Sequence, residues 1–163
     1  MNKTFATLAL MAAALAAPFA ASAASLEKPM QEALLRALDD EYHAEAFYDA
    51  VMAKFGVVRP FSNIIRAEQT HAAMLADLMK TYGMEVPKNS KLGSAEIKAA
   101  VPATIGDACR MGVEAEIANR DLYSKELMPA VAGHADIEAV FQRLSAASEQ
   151  NHLPAFERCA ARR

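Results

Sequence analysis

Apolar residues recur at steps of three and four along four stretches of this chain, the period of a helix that buries one face. The first stretch predicts a helix from about Leu26 to Phe55, stopped by Gly56, with an inward stripe of Leu34, Leu38, Glu41, Glu45, Tyr48 and Met52. Pro60 and Ser62 open the second, whose stripe is Ile64, Glu68, His71, Leu75, Leu78 and Tyr82, ending before Gly83. The third runs from about Thr104 to Met128 with Cys109, Val113, Glu116, Tyr123 and Leu127 inward. Gly133 marks a turn and Asp136 is the expected N-cap of the fourth, which carries Ile137, Phe141, Leu144, Glu149, His152, Phe156 and Cys159 on one side. Pro154 lacks an amide hydrogen and crowds the preceding turn, so a kink is expected just after His152.

A loop of only about six residues between the first two helices makes them antiparallel neighbours. From Met84 to about Ala103 the periodicity fades among Pro87, Asn89, Ser90, Gly93, Ser94 and Pro102, with room for a short helix over 95–100. So long a connection in a small domain reads as a crossover to the far end of the molecule. The fold expected is all-α: a four-helix bundle with a long crossover between helices 2 and 3.

The inward stripes are not wholly apolar, and their polar members carry the chemistry. Glu68/His71 and Glu149/His152 are Glu-x-x-His steps, which place both side chains on one helix face. Glu41 and Glu116 stand on the stripes of the helices before them, each seven residues before a tyrosine, Tyr48 and Tyr123. Glu, Glu-x-x-His, Glu, Glu-x-x-His is the ligand order for two metal ions held between four helices. Buried carboxylates cost several kcal/mol each unless paired or protonated, whereas four carboxylates balance two divalent cations. Carboxylate with imidazole suits iron or manganese, with zinc as a further candidate. Tyr48 and Tyr123 could each donate a hydrogen bond to a ligating carboxylate, or simply pack. Glu45 competes with Glu41 or adds a ligand. Glu114 should be solvated, His43 and His134 exposed, and the dispersed methionines core filler.

Composition narrows the class. Trp is absent and Gly sparse, favouring helix over sheet. Basic residues are scattered in a chain of formal net charge −3, which argues against nucleic-acid binding. Lys3, the apolar run Phe5 to Ala17 and Ala21-Ser22-Ala23 read as a secretory signal peptide over residues 1–23, leaving 24–163 as one domain. That apolar run is too short to span a bilayer, and no later run does so, so membrane insertion is not expected. The protein should be periplasmic or secreted. If the last two helices are antiparallel, Cys109 and Cys159 fall at the same end. A disulfide is then expected in an oxidising compartment, the alternative being two buried free thiols.

The motifs Glu41-x-x-Ala44-x-x-x-Tyr48, Glu68-x-x-His71, Glu116 with Tyr123, and Glu149-x-x-His152 resemble the di-iron motifs of rubrerythrins and bacterioferritins in the ferritin-like superfamily. The segments from Phe61 to His71 (FSNIIRAEQTH) and from Asn151 to Phe156 (NHLPAF) are similar to a bacterial family known as domain of unknown function 2202. The resemblance implies a ferritin-like bundle with a metal site. It departs at Asn119, where the first half has the small Ala44, and in a hairpin short for the cage-forming surface of ferritins. It also lacks a rubredoxin module, so electrons would come from Fe(II) itself or from a separate donor.

Three functions are compatible with the pattern. The first is a di-iron oxidoreductase with ferroxidase or peroxide- or O2-reducing activity. The second is a non-catalytic metal-binding or stress-resistance protein, and the third a helical interaction module with a vestigial site. An open coordination position would favour the first, closure by Glu45 the second. A homodimer is compatible with all three.

Overall fold

The computed structural model describes residues 26–162, so the signal peptide expected over 1–23 lies outside them. All regular structure among the described residues is helical. The long helices are α1 (Lys28–Phe55) and α2 (Phe61–Thr81), followed after the crossover by two composite rods. A short α3 (Ala95–Ala100) interrupts the crossover. The third rod joins α4 (Ile105–Leu122), a π-helical turn at Tyr123–Leu127 and α5 (Met128–Ala130). The fourth joins α6 (Ala135–Ala147), a π-helical turn at Ser148–His152 and α7 (Leu153–Ala160). No described helix is long and apolar enough to cross a membrane.

Local chemistry explains the ends. The side chains of Ser94 and Thr104 accept hydrogen bonds from the Ile97 and Asp107 amides and so start α3 and α4. Gly56 leaves α1 with φ 84°, a conformation in which a Cβ would be strained. The fourth rod starts differently from expectation. His134 precedes it without a side-chain cap, and Asp136, inside the first turn, accepts a hydrogen bond from the Tyr82 hydroxyl at 2.7 Å.

The core is two apolar layers with a polar layer between them. One contains Leu34, Leu38, Leu75, Tyr123, Leu127 and Phe141, and the other Val51, Phe61, Ile64, Cys109 and Phe156. Each fully buried Leu or Phe contributes roughly 1.5–3 kcal/mol. Every long rod passes from one layer to the other, and the order gives the topology. α1 and the fourth rod run from the first layer to the second, while α2 and the third run from the second to the first. α2 is therefore antiparallel to α1 but parallel to the third rod, so the chain between them must return along the molecule's full length. It is fastened on the way by Asn89, whose side-chain amide donates to the Tyr42 carbonyl at 3.1 Å and to Glu45 at 2.9 Å. This is the ferritin-like four-helix bundle with its crossover, as expected.

Cys109 and Cys159 meet at the same end, with Cα atoms 5.8 Å apart, in a disulfide that ties the start of α4 to the end of α7.

Candidate metal centre

The buried polar side chains among the described residues are Glu41, Glu68, His71, Glu116, Ser148 and His152, and all of them lie in the layer between the two apolar clusters. Ligand atoms of Glu41, Glu68 and His71 lie within 4.8 Å of one another, as do those of Glu68, Glu116 and His152. Glu68 belongs to both groups. His71 Nδ1 stands 3.1 Å from Glu68 and 3.3 Å from Glu41, while His152 Nδ1 stands 3.2 Å from the other oxygen of Glu68. The two imidazoles stack, with ring centroids 5.7 Å apart.

Electrostatics shows what these groups lack. The ionic partners of the three carboxylates among the described residues are the two imidazoles; no lysine or arginine pairs with them. Burial raises Glu41 well above the ordinary carboxylate range, and the charge of Glu68 adds to the effect. Burial also drives Glu116 up to about 7, against the hydrogen bond from Ser148. Glu68 resists the same burial because His152 and His71 hydrogen-bond to it, and it falls to about 2. Burial works against charge on His71, but Glu41 and Glu68 outweigh it and raise His71 to about 9. Protons thus stand where cations would neutralise the carboxylates.

The tyrosines cross between halves. The Tyr48 hydroxyl of α1 donates to Glu116 Oε1 of α4. Tyr123, in the third rod, sits in the field of Glu41 on α1, which with burial raises its pKa well above the usual tyrosine value. The buried Tyr123 hydroxyl makes no hydrogen bond of normal geometry, so of its two expected roles, donor to a carboxylate or simple packing, it shows the second. A cavity of about 120 Å³ reaches the polar layer between α1 and α4, past Ala44, Phe47, Met111 and Ala115.

Two expected ligands stand elsewhere. Glu149 is exposed, and its place beside Glu116 is taken by the Ser148 hydroxyl, which donates to Glu116 Oε2. The π turn is the reason: its extra residue carries Glu149 off the face that His152 shares. The disturbance from Pro154 thus falls on Ser148–His152 itself rather than after His152. Glu45 accepts hydrogen bonds from Gln69 and Asn89 and does not join either group. His43 is exposed, whereas His134 is half-buried. Ser148 and Gly112 are the residues that spacing missed, whereas Asn119 stands out in the sequence as the departure from the small Ala44. Asn119 donates to Asp40 at 2.6 Å beside the cavity. Gly112 lies so close to Phe156 that a Cβ would come within 2.5 Å of the ring. A glycine in mid-helix and a proline in each late helix were the available signals.

Three buried carboxylates, two inward-facing imidazole nitrogens and an orphaned tyrosine hydroxyl beside one carboxylate fit a site for cations. A crossover-linked four-helix bundle with such a centre defines a ferritin-like protein. Residues 32–160 match the rubrerythrin family, and the chain belongs to that family. The fold is also that of the hypothetical protein MJ0754 from Methanococcus jannaschii DSM 2661, with 22% identity, 83% of this chain and 81% of that chain covered, and a TM-score of 0.70. Among curated proteins none matches.

Proposed function

We propose that the chain binds two metal ions, iron in preference to manganese or zinc, and acts as an exported ferroxidase or peroxide- or O2-reducing protein. One observation carries this reading: the buried polar residues form two ligand groups sharing Glu68, with no lysine or arginine among the described residues paired to them. Glu41 and His71 would hold one ion, Glu116 and His152 the other, and Glu68 would bridge. Two ferrous ions held there would supply the two electrons needed, with two protons, to reduce peroxide to two waters.

The chain's own residues do the rest. Tyr48 orients Glu116, and Ser148 holds its second oxygen. The cavity between α1 and α4 admits a small oxidant. Glu45, held by Asn89 and Gln69, leaves the site open, which favours turnover over mere binding. Both cysteines are spent in the disulfide, so electrons come from Fe(II) or from a separate donor. That disulfide supports an oxidising compartment and hence export. The segments Phe61 to His71 and Asn151 to Phe156 support placement near domain of unknown function 2202.

The test is metal content after anaerobic Fe(II) loading, followed by peroxide. About two iron atoms per chain and a peroxide-dependent oxidation are expected. Retention of zinc or manganese without turnover would favour metal handling, and failure to bind any ion would sink the proposal.

A further inference from the structure

The fourth rod changes helical register at the centre. The Leu153 amide bonds to the Ser148 carbonyl, five residues back, and Pro154 comes next. The third rod repeats the device: the Met128 amide bonds to the Tyr123 carbonyl, and Pro129 comes next. In a regular helix the Pro154 ring would collide with the Gln150 carbonyl, four residues back. Taking one more residue into the turn relieves the collision. It also rotates α6, before the turn, by about 100° relative to α7, after it.

That rotation selects the donor. In a regular helix Glu149, three residues before His152, would share its face. In the π turn Glu149 is exposed, and Ser148 is buried against Glu116. We infer that Pro154 is a positioning residue that keeps Glu149 out of the second metal position. That position would have Glu68, Glu116 and His152 as its protein ligands, with the neutral Ser148 hydroxyl rather than a fourth carboxylate beside Glu116, so that a small oxygen ligand from solvent could complete it. The inference rests on the metal reading above. With Glu149 outside, three carboxylates would face two divalent cations, and the excess positive charge would favour a hydroxide or another small anion beside them.

Two measurements on the full mature chain, disulfide intact, decide it. The first is calorimetric titration of the metal-free protein with Co(II). Glu149→Ala alone should leave stoichiometry and affinity within about twofold of the unsubstituted protein, as expected for a group outside the ligand set. Pro154→Ala should tighten the second ion at least about tenfold, and adding Glu149→Ala should cancel the gain. Loss of the second ion in Glu149→Ala overturns the inference while leaving the metal site standing. A gain in Pro154→Ala that survives Glu149→Ala also overturns it. The second measurement needs no metal. A cysteine introduced by Glu149→Cys should react readily with a thiol reagent, and at least about tenfold more slowly when Pro154→Ala is added, because it then turns inward. Equal rates refute the positioning role, even in a protein that binds no ion and so fails the metal reading.

Discussion

Tyr48 on α1 donates its hydroxyl to Glu116 on α4 at 3.1 Å, across 68 positions of sequence. The hydroxyl thus steadies a carboxylate from the other half of the bundle, and Tyr123 lies in the field of Glu41 in the reciprocal arrangement. Tyr48→Phe removes the bond but keeps the ring against Phe61 and Phe156. A lost bond to a charge-bearing group costs about 2 kcal/mol, enough to lower Tm by roughly 5–8 °C. The Tyr48 bond also lowers the Glu116 pKa, so the value of about 7 should rise in the variant. Thermal melts and a carboxylate titration by NMR check both; an unchanged Glu116 would mean that the contact is idle.

Stability of the metal-free protein should fall as pH rises from about 5 to 9. Glu116 is raised from 4.5 to about 7 and His71 from 6.5 to about 9. A group whose folded pKa exceeds its unfolded one favours the fold fully below the unfolded value and loses that contribution as pH passes the folded value. Glu68, lowered from 4.5 to about 2, has the opposite sign, and its contribution disappears as pH falls toward 2. Denaturant midpoints measured with a chelator present should therefore peak at mildly acidic pH. A midpoint climbing toward pH 9 would contradict the assignment. Metal affinity should rise through the same window, because ligands must shed protons to bind.

Because Glu68 serves both ligand groups, Glu68→Ala should abolish binding of both ions, whereas Glu41→Ala and Glu116→Ala should each weaken mainly one. Titrations of the three variants give the comparison. Equal losses in all three would show that the groups do not act as two positions.

Gly112→Ala should destabilise by about 1–3 kcal/mol through overpacking. The added methyl would lie 2.5 Å from the Phe156 ring. Phe156→Leu in the same chain should recover part of the loss, and a double-mutant cycle by chemical denaturation measures how much.

The Cys109–Cys159 bridge closes a separation of 50 residues. Loop entropy for that span is worth about 4 kcal/mol. Replacing both cysteines by serine should lower the denaturant midpoint accordingly, and reduction of the native protein should match it.

The apolar faces and the polar break in them were legible in the sequence because regular helices convert spacing into direction. Leu34, Leu38 and Glu41, or Ile64, Glu68 and His71, fall on buried faces wherever the helix keeps its period. Glu149 escaped for the same reason: the rule assumes the regular turn that Pro154 prevents. Tyr123, at the head of the π turn before Pro129, keeps its buried place, but spacing does not encode that its hydroxyl goes without a hydrogen bond. Glu45 depends on Asn89, in a crossover without periodicity. Such partners are set by tertiary packing rather than by the pattern within one helix.

The fastening of the crossover gives the bundle a front and a back. Pro87 and Asn89 lie along one flank of α1, through Tyr42 and Glu45, and α2 packs on the same side through Gln69. The opposite flank, with Asp40, His43 and Ala44, borders the cavity. Traffic to Glu68 through that cavity therefore passes between α1 and α4, beside the Asp40–Asn119 pair, and not along the flank that the crossover fastens.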